Sequence, residues 1–307
     1  MPDISPIINA ITTGQYHNSD IQRLFHGRGH TFDGLDFITV DWYPPALFVC
    51  LFRPVEPSWL DELTEQLWQL SQKICPDLAT ALVVQNRQGA KTESQVVRGE
   101  LEQPHVVSEQ GMKFNVQLLQ SQNTGIFADM VNGRRWVKAN SDNKNVLNLF
   151  AYTCAFSLAA LQGGARAVVN IDMNKSVMAT GRKNHQLNDD IDISKAKFFT
   201  HNIFNSWGKI KRYGEYDLII IDPPSFQKGS FALTKDYQKL IKRLPDLAAD
   251  NADVLLCLNA PDVPSQFIFD LVSEFCPALE FIERIENHQD FPEVNIEKSL
   301  KVLRFRF

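Results

Sequence analysis

Asp222-Pro223-Pro224-Ser225-Phe226 is the stretch of this 307-residue chain in which residue type and spacing point most directly to chemistry. It follows the apolar run Tyr216 to Ile221, which places the acid at the tip of a strand. Two successive prolines remove two backbone donors and force an extended turn, leaving carbonyl acceptors beside the Asp222 carboxylate. A planar base could stack on Phe226 while its polar edge meets Asp222 and the carbonyls of Pro223 and Pro224. The plainer alternative is a loop that carries prolines and no function.

A second acid, Asp172, ends a strand, turn, helix, strand unit. Val146 to Phe150 is an apolar run of strand length, Ala155 to Leu161 has helix-forming composition, and Ala167 to Ile171 is a second apolar run. In doubly wound α/β sheets the turn after the first strand cradles a cofactor, and an acid at the tip of the second accepts hydrogen bonds from a ribose. The turn Leu149 to Cys154 holds no glycine, which disfavours a pyrophosphate. An uncharged adenosine carrying a cationic sulfonium, as in S-adenosylmethionine (SAM), needs no phosphate cradle and tolerates aromatic neighbours. An ordinary βαβ unit with a chance acid is the alternative.

The elements that must position these acids follow in order. Asn174 can cap a helix running to Asn188, Ala196 to Thr200 reads as a third strand and Tyr216 to Ile221 as a fourth. A helix over Thr234 to Ala249, a strand over Val254 to Leu258 and a helix over Val263 to Phe275 come next. Phe281 to Ile285 and Leu300 to Phe307 should finish the sheet, one of them antiparallel. Ligands of such sheets bind at the carboxyl ends of the strands, so the segments after Phe150, Ile171, Thr200, Ile221 and Leu258 should converge.

Ahead of this lie two β-rich runs, Phe37 to Tyr43 and Ala46 to Phe52, broken by Pro44-Pro45. An amphipathic helix over Trp59 to Ile74 follows, with Pro57-Ser58 before it and Pro76 behind. Further strand-like runs are Ala81 to Asn86, Gln95 to Arg98, His105 to Ser108 and Lys113 to Leu118, the last two joined by a turn at Glu109-Gln110-Gly111. The expected fold is a small α+β domain over residues 1–124 ahead of an α/β, Rossmann-like domain over residues 125–307.

With 44% hydrophobic and 22% charged residues the chain reads as globular. Met1 to Gln15 lacks a basic n-region and a long apolar h-region, and no run approaches membrane-spanning length, so neither export nor membrane insertion is expected. Cys50, Cys75, Cys154, Cys257 and Cys276 are scattered and odd in number, which argues against a disulfide framework and for a reducing cytoplasm. His17, His26, His30 and His105 make no metal-ligand spacing, and no metal is expected. The first 110 residues carry 7 Lys and Arg against 14 Asp and Glu, whereas the remainder carries 24 against 22. Lys209, Lys211 and Arg212 form one cluster, and Lys235, Lys239, Lys242 and Arg243 fall close to one helical face; such clusters are usually solvated surface. Trp42, Trp59 and Trp68 are candidate stacking platforms, although Trp59 and Trp68 fit a helix core better.

Asn148-Leu149-Phe150-Ala151-Tyr152-Thr153, Gly163-Gly164-Ala165, Asp172 and Asp222 to Phe226 together resemble the class I SAM-dependent methyltransferases that modify bases of bacterial large-subunit ribosomal RNA, the methyltransferases I and K. The resemblance extends to Gly111-Met112-Lys113-Phe114 and Thr124-Gly125-Ile126-Phe127-Ala128-Asp129, and more faintly to Gly34-Leu35-Asp36. It implies SAM held by Phe127, Asp129, Asn148, Phe150, Tyr152, Thr153, Asp172, Met173, Asn202, Ile203 and Asp222. The acceptor pocket would be formed by Asp222, Pro223, Pro224, Phe226 and Asn259. Cys154 stands where that family usually has glycine, Asn202 where it has an acid and Val131 where it has an arginine. The resemblance leads to the expectation that the RNA-binding PUA domain of the methyltransferase I type is missing, since Arg23 to Asp36 already resembles the linker behind it.

Methylation of cytosine C5 needs a thiolate that attacks C6, and the C5-specific relatives carry a cysteine just past the fifth strand. Asn259 stands there in this chain, as asparagine does in the K type, whose Gln-Asp-Phe is matched by Gln289-Asp290-Phe291. Cys257, two positions earlier, reads as a small core residue. The resemblance thus implies methyl transfer from SAM to a ring or exocyclic nitrogen of a 23S RNA base, guanine being a candidate. A non-catalytic RNA-binding or ribosome-assembly protein on the same fold is the alternative from another class, and a protein or small-molecule methyltransferase is a third.

Overall fold

Alternation of side chains across short apolar strands decides how the second half of the chain folds. The computed structural model describes residues 2–14, 19–75, 79–88, 92–227 and 231–307, so Met1, Gln15, His17 and Pro76 lie outside the described residues. Seven strands, β1 (Asn145–Leu149), β2 (Ala167–Asp172), β3 (Ala196–Thr200), β4 (Tyr216–Ile221), β5 (Ala248–Leu258), β6 (Glu280–Ile285) and β7 (Lys301–Arg306), form one sheet. Their order is β3-β2-β1-β4-β5-β7-β6. The pairs among β1 to β5 are parallel, and β7 lies antiparallel between β5 and β6. The helices are α1 (Val131–Ala139), α2 (Ala155–Gln162), α3 (Lys175–Gln186), α4 (Trp207–Arg212), α5 (Leu233–Ile241) and α6 (Gln266–Phe275). Asn174 caps α3, its side chain accepting from the N–H groups of Ser176 and Val177.

The two faces of this sheet are packed differently. Leu147, Leu149, Val169, Ile171, Ile219 and Ile221 share one face and join a single apolar cluster with Ile210, Tyr237, Leu240 and Ile268 from α4, α5 and α6. Period-two geometry turns Asn148 and Asn170 to the other face, where a fully buried polar chain runs to α2 and α3. Asn148 Nδ2 donates to Asn170 Oδ1 at 2.9 Å, and Asn170 Nδ2 donates to Ser157 Oγ at 2.9 Å. His185 Nδ1 faces the Gly181 carbonyl at 2.7 Å, so it carries the proton, and its Nε2 accepts from Ser157 Oγ at 2.9 Å. Every member of this chain has a partner, which is what allows these polar groups to be buried.

Proline redraws one expected boundary. The helix expected over Thr234 to Ala249 ends at Ile241, and a 3₁₀ turn, Leu244–Asp246, follows. Pro245 has no N–H to give the Ile241 carbonyl four residues back, and its ring would clash with that carbonyl in a continued α-helix. Ala248 and Ala249 accordingly begin β5, which starts earlier than the expected Val254. Midway along that strand, buried Asp253 accepts from Lys144, Arg304 and Arg306 at 2.8 to 3.0 Å. Burial pushes its carboxyl up, but the bonds from Lys144 and Arg306 outweigh this and hold it below the usual carboxylate range.

Residues 1–128 and 288–295 make one compact unit, and residues 129–287 and 296–307 the other. The division falls at Ala128/Asp129 rather than at residue 125, and His288 to Asn295 belongs with the front unit. The reason lies in Gly29 and His26. A Cβ on Gly29 would meet the Pro292 carbonyl oxygen at 1.7 Å, Val294 N–H donates to the Gly29 carbonyl, and Phe291 packs edge-on against His26. This front unit holds a five-stranded sheet ordered Gln22–His26, Ile38–Tyr43, Ala46–Leu51, Ala81–Asn86, Glu93–Gly99. Its one parallel pair, Ala46–Leu51 with Ala81–Asn86, is joined through the helix Pro57–Ile74, which packs with Ser5–Thr13 on an apolar cluster. Trp42 and Trp59 are buried in that cluster, and Trp68 packs partly buried against it.

His185 carries a prediction. Burial, the largest influence, holds its imidazole down from 6.5 to about 4. The unfolded chain therefore binds a proton that the folded chain refuses between those values, and stability falls as pH drops through that window. This group alone should remove about 3 kcal/mol of unfolding free energy from pH 7 to pH 4, each tenfold loss of proton affinity being worth roughly 1.36 kcal/mol. Urea melts of His185→Gln should show that part of the slope gone; an unchanged slope would show that the imidazole is not buried neutral.

Candidate active site

The carboxyl edge of the second unit's sheet gathers the loops that follow its parallel strands. After β1 the chain takes left-handed backbone at Phe150 (φ 56°), Tyr152 (φ 48°) and Cys154 (φ 64°). None is glycine, so each costs of the order of 1 kcal/mol that the surroundings must offset. They do so with hydrogen bonds: Ala151 N–H to the Ile171 carbonyl at 3.0 Å, Cys154 N–H to the Ala151 carbonyl at 2.7 Å, and Tyr152 N–H to Asp172 Oδ2 at 3.0 Å. Asp172 Oδ1 accepts from Asn174 N–H at 2.8 Å. Burial pushes the Asp172 carboxyl up, and the bonds from Asn174 and Tyr152 oppose that. Each carboxylate oxygen has thus used one backbone donor and keeps acceptor capacity, which is the pair of acceptors that a vicinal diol requires.

Neighbouring tips are clipped to this one. His201 N–H donates to the Asp172 carbonyl at 3.1 Å, fixing the loop after β3. Asn202 caps the short 3₁₀ turn Ile203–Asn205 by accepting from Phe204 N–H at 2.9 Å, and Ile203 is buried beneath. Ser225 Oγ donates to the Asn259 carbonyl at 2.9 Å, joining the loops after β4 and β5. Phe231 lies edge-on to Phe150 at 5.1 Å and stacks with Phe204 at 6.3 Å between ring centroids, so one aromatic underlies the loops after β1 and β3. Lys301, fully buried at the start of β7, donates to the Ala260 carbonyl at 3.2 Å and holds the turn beyond Asn259.

Asp222 has the most altered acid in this edge. Its residue is only partly buried, yet protein surrounds the carboxyl densely, and that desolvation, followed by the Asp129 charge, raises it from 3.8 to about 7. The Arg134 guanidinium, buried on α1, opposes the rise. Pro223 is buried and Pro224 exposed, and the Phe226 ring is 70% exposed. All five cysteines are free and buried. Burial pushes the Cys154 thiol up, with the Asp172 charge adding to it, and pushes Cys257 far up, with Asp222 adding. Both are held as neutral thiols, poor nucleophiles.

The structure brings Phe150, Tyr152, Thr153, Asp172, Met173, Asn202, Ile203, Asp222 and Asn259 to strand tips of one edge or the loops after them, sets Asp129 in a 3₁₀ turn ahead of α1 from which its charge acts on Asp222, and places others elsewhere. The Asn148 side chain is committed to Asn170 inside the fold. Phe127 belongs to the front unit, as does Gln289-Asp290-Phe291. Met173 is 40% exposed directly after Asp172, and Thr153 is buried with its carbonyl accepting from Asn184. Arg134, Phe231 and Lys301 were not singled out from the sequence. Only the odd lysine in the apolar run Leu300 to Phe307 offered a signal. Among the described residues no group of three or more His, Cys, Asp or Glu could hold a metal ion, and no helix is long and apolar enough to cross a membrane.

A seven-stranded sheet with β7 antiparallel, an acid at the tip of β2 and a glycine-free first loop defines the class I methyltransferase architecture. The model of the S-adenosylmethionine-dependent methyltransferase family matches residues 22–306, and the chain belongs to that family. SAM is its cofactor, and the acceptors left on Asp172 fit the ribose of that molecule. Among curated proteins the chain is similar to the ribosomal RNA large subunit methyltransferase I of Aeromonas salmonicida, 32% identical over 66% of this chain and 51% of that one. The corresponding protein of Aliivibrio fischeri is 30% identical over 85% of this chain and 68% of that one. The chain thus spans about half to two thirds of these relatives' length. A protein of Streptococcus mutans described as a SAM-dependent methyltransferase shares the fold with a TM-score of 0.82 at 25% identity, over 100% of this chain and 82% of that one.

A raised carboxyl is a stability cost, which gives a test of Asp222. The folded state keeps the Asp222 proton that the unfolded chain has lost between 3.8 and about 7, so ionisation weakens the fold as pH rises through that range. Asp222→Asn should raise the melting temperature at pH 8 and leave it nearly unchanged at pH 3.5. A lower melting temperature at pH 8 would mark Asp222 as a structural residue.

Proposed function

We propose that this chain transfers a methyl group from SAM to a nitrogen of an RNA base, in large-subunit ribosomal RNA. The observation that carries the reading is the pairing at one edge of Asp222, a poised carboxylate followed by two prolines and an open aromatic ring, with Asn259 rather than cysteine at the next strand tip. The large-subunit methyltransferase names of the two curated relatives support the RNA class.

Asp172 would hold the ribose, with Met173, Asn202 and Ile203 lining the adenine side. Phe150, Tyr152 and Thr153 supply the loop wall, and Asp129 with Arg134 sets the charge around Asp222. When bound, SAM supplies an electrophilic methyl group on a sulfonium. The strand-tip loops that carry Asp222 and Asn259 would hold the acceptor nitrogen toward that methyl group, with S-adenosylhomocysteine as the leaving group. Asp222 accepts a hydrogen bond from an acceptor N–H and takes up the proton released when that nitrogen carries one. Most of the acceleration comes from positioning, because the methyl donor is already activated. Phe226 stacks on the base, which must leave its helical stack to reach the pocket.

The thiols provide one check. Cys154→Ala and Cys257→Ala should each retain methyl transfer, and RNA carrying 5-fluorocytosine should form no covalent adduct; an adduct at either cysteine restores C5 chemistry. The acceptor site provides another. Asp222→Ala and Phe226→Ala should keep SAM affinity within about tenfold, roughly 1.4 kcal/mol, while lowering turnover about a hundredfold or more. Phe226→Trp should keep part of the activity, and activity should rise with pH through about 7 as Asp222 ionises. Full activity in both alanine variants, or a deletion strain that lacks no ribosomal RNA methylation, would favour the assembly-protein reading.

A further inference from the structure

One basic and aromatic row lies outside the pocket just described. Among the described residues β3 is an edge of the sheet, paired only with β2. Lys197, Phe199 and His201 follow one another at a spacing of two and so share one side of this edge. Tyr213, just past α4, packs its ring against Phe199 at 5.4 Å, and the Lys197 ammonium lies 5.5 Å from the Tyr213 ring centroid. Lys209, from α4, sits 4.0 Å over the Phe199 ring and donates to His201 Nε2 at 3.0 Å. From Lys197 to His201 the row covers about 13 Å at a strand's usual rise. It ends at the cofactor edge, because His201 N–H donates to the Asp172 carbonyl.

Charge pairing separates this row from two nearby lysines of the basic surface. Lys211 lies 3.7 Å from Asp246, and Lys239 2.7 Å from Asp236. Among the described residues neither Lys197 nor Lys209 has a carboxylate within 4.0 Å. Exposed Asp192 is taken up by Ser194. Lysines on a free sheet edge also discourage strand pairing. That role calls for charge alone and is weakened by partly exposed rings beside it, whereas cations interleaved with aromatic faces are what a single strand of nucleic acid requires, phosphates on the former and bases on the latter.

Resting on the RNA-methyltransferase reading above, we propose that the row Lys197, Tyr213, Phe199, His201 and Lys209 binds the single-stranded RNA that flanks the target base and leads it to the pocket. Lys197 and Lys209 neutralise two backbone phosphates, while Tyr213 and Phe199 offer faces for bases. The row runs from the pocket's rim along the sheet edge, so it engages the strand on one side of the target nucleotide.

The test uses the full chain and fluorescence anisotropy with a labelled, unstructured single-stranded RNA oligonucleotide across a salt series. Lys197→Gln/Lys209→Gln should weaken binding about tenfold or more near 0.1 M salt. It should also reduce the slope of log K against log salt by about 1.4, two contacts at roughly 0.7 each for single strands. Tyr213→Leu should weaken binding without changing that slope. SAM affinity, which reports folding of the neighbouring pocket, should stay within twofold in all variants, and the exposed front-unit control Lys73→Gln should behave as wild type. If wild type binds and methylates RNA and the double variant keeps its affinity and slope, the row is not the RNA path, and the methyltransferase reading stands. If polyglutamate competes as well as RNA, the row is a general anion surface and the assignment fails. If wild type neither binds nor methylates RNA, the proposed function falls, and this inference falls with it.

Discussion

A buried carboxylate that two backbone N–H groups stabilise is the constraint on which the second unit depends. Asp172 ends β2, yet its two oxygens reach Tyr152 and Asn174, so the same group fixes the loop after β1 and the entry into α3. Without those donors the charge would sit in poorly solvated surroundings, and without the charge three left-handed non-glycine residues would lose part of what holds them. Its carbonyl in turn receives His201, which ties the third strand tip to the other two. The arrangement that suits a ribose is thus the one that shapes the loop.

The division between the sheet's faces follows from the same economy of polar groups. One face is apolar and packs α4 to α6 without direction, whereas the Asn148, Asn170, Ser157 and His185 chain on the other sets the register of β1, β2, α2 and α3 relative to one another. A polar chain of this kind adds specificity more than net stability, since each bond replaces one made to water in the unfolded state. It also explains why Asn148, in a motif adjoining the cofactor loop, belongs to the interior.

Much of the fold was legible because its strands are short, apolar and separated by turn residues. Tyr216–Ile221 and Ala81–Asn86 coincide with their apolar runs. Legibility stopped where tertiary contacts overrule local pattern. Val131–Ala139 contains Gly133, Arg134 and Arg135 and has no capping side chain, so nothing local announces a helix, and its burial of Arg134 is visible only once α2 lies against it. At the candidate site the acids at strand tips could be read from their position after apolar runs. Arg134 beside Asp222, Phe231 beneath two loops and Lys301 against Ala260 could not, because each reaches the edge from a distant segment. The altered acidity of Asp222 likewise depends on how many groups crowd around it, which no stretch of sequence records.

Cys154 and Gly181 illustrate how two positions become a single unit of inheritance. The thiol of Cys154 occupies the space left by the missing side chain of Gly181, where a Cβ would stand 2.6 Å from the sulfur. Glycine at 154 would relax the left-handed backbone but leave a void against α3, and alanine at 181 would collide with the sulfur while cysteine remains. Either exchange alone is unfavourable, whereas the two together trade one filling atom for another across the same gap. The non-glycine loop of this chain and the bare helix face opposite it are therefore two halves of one packing solution, and a change in either sets what the other can carry.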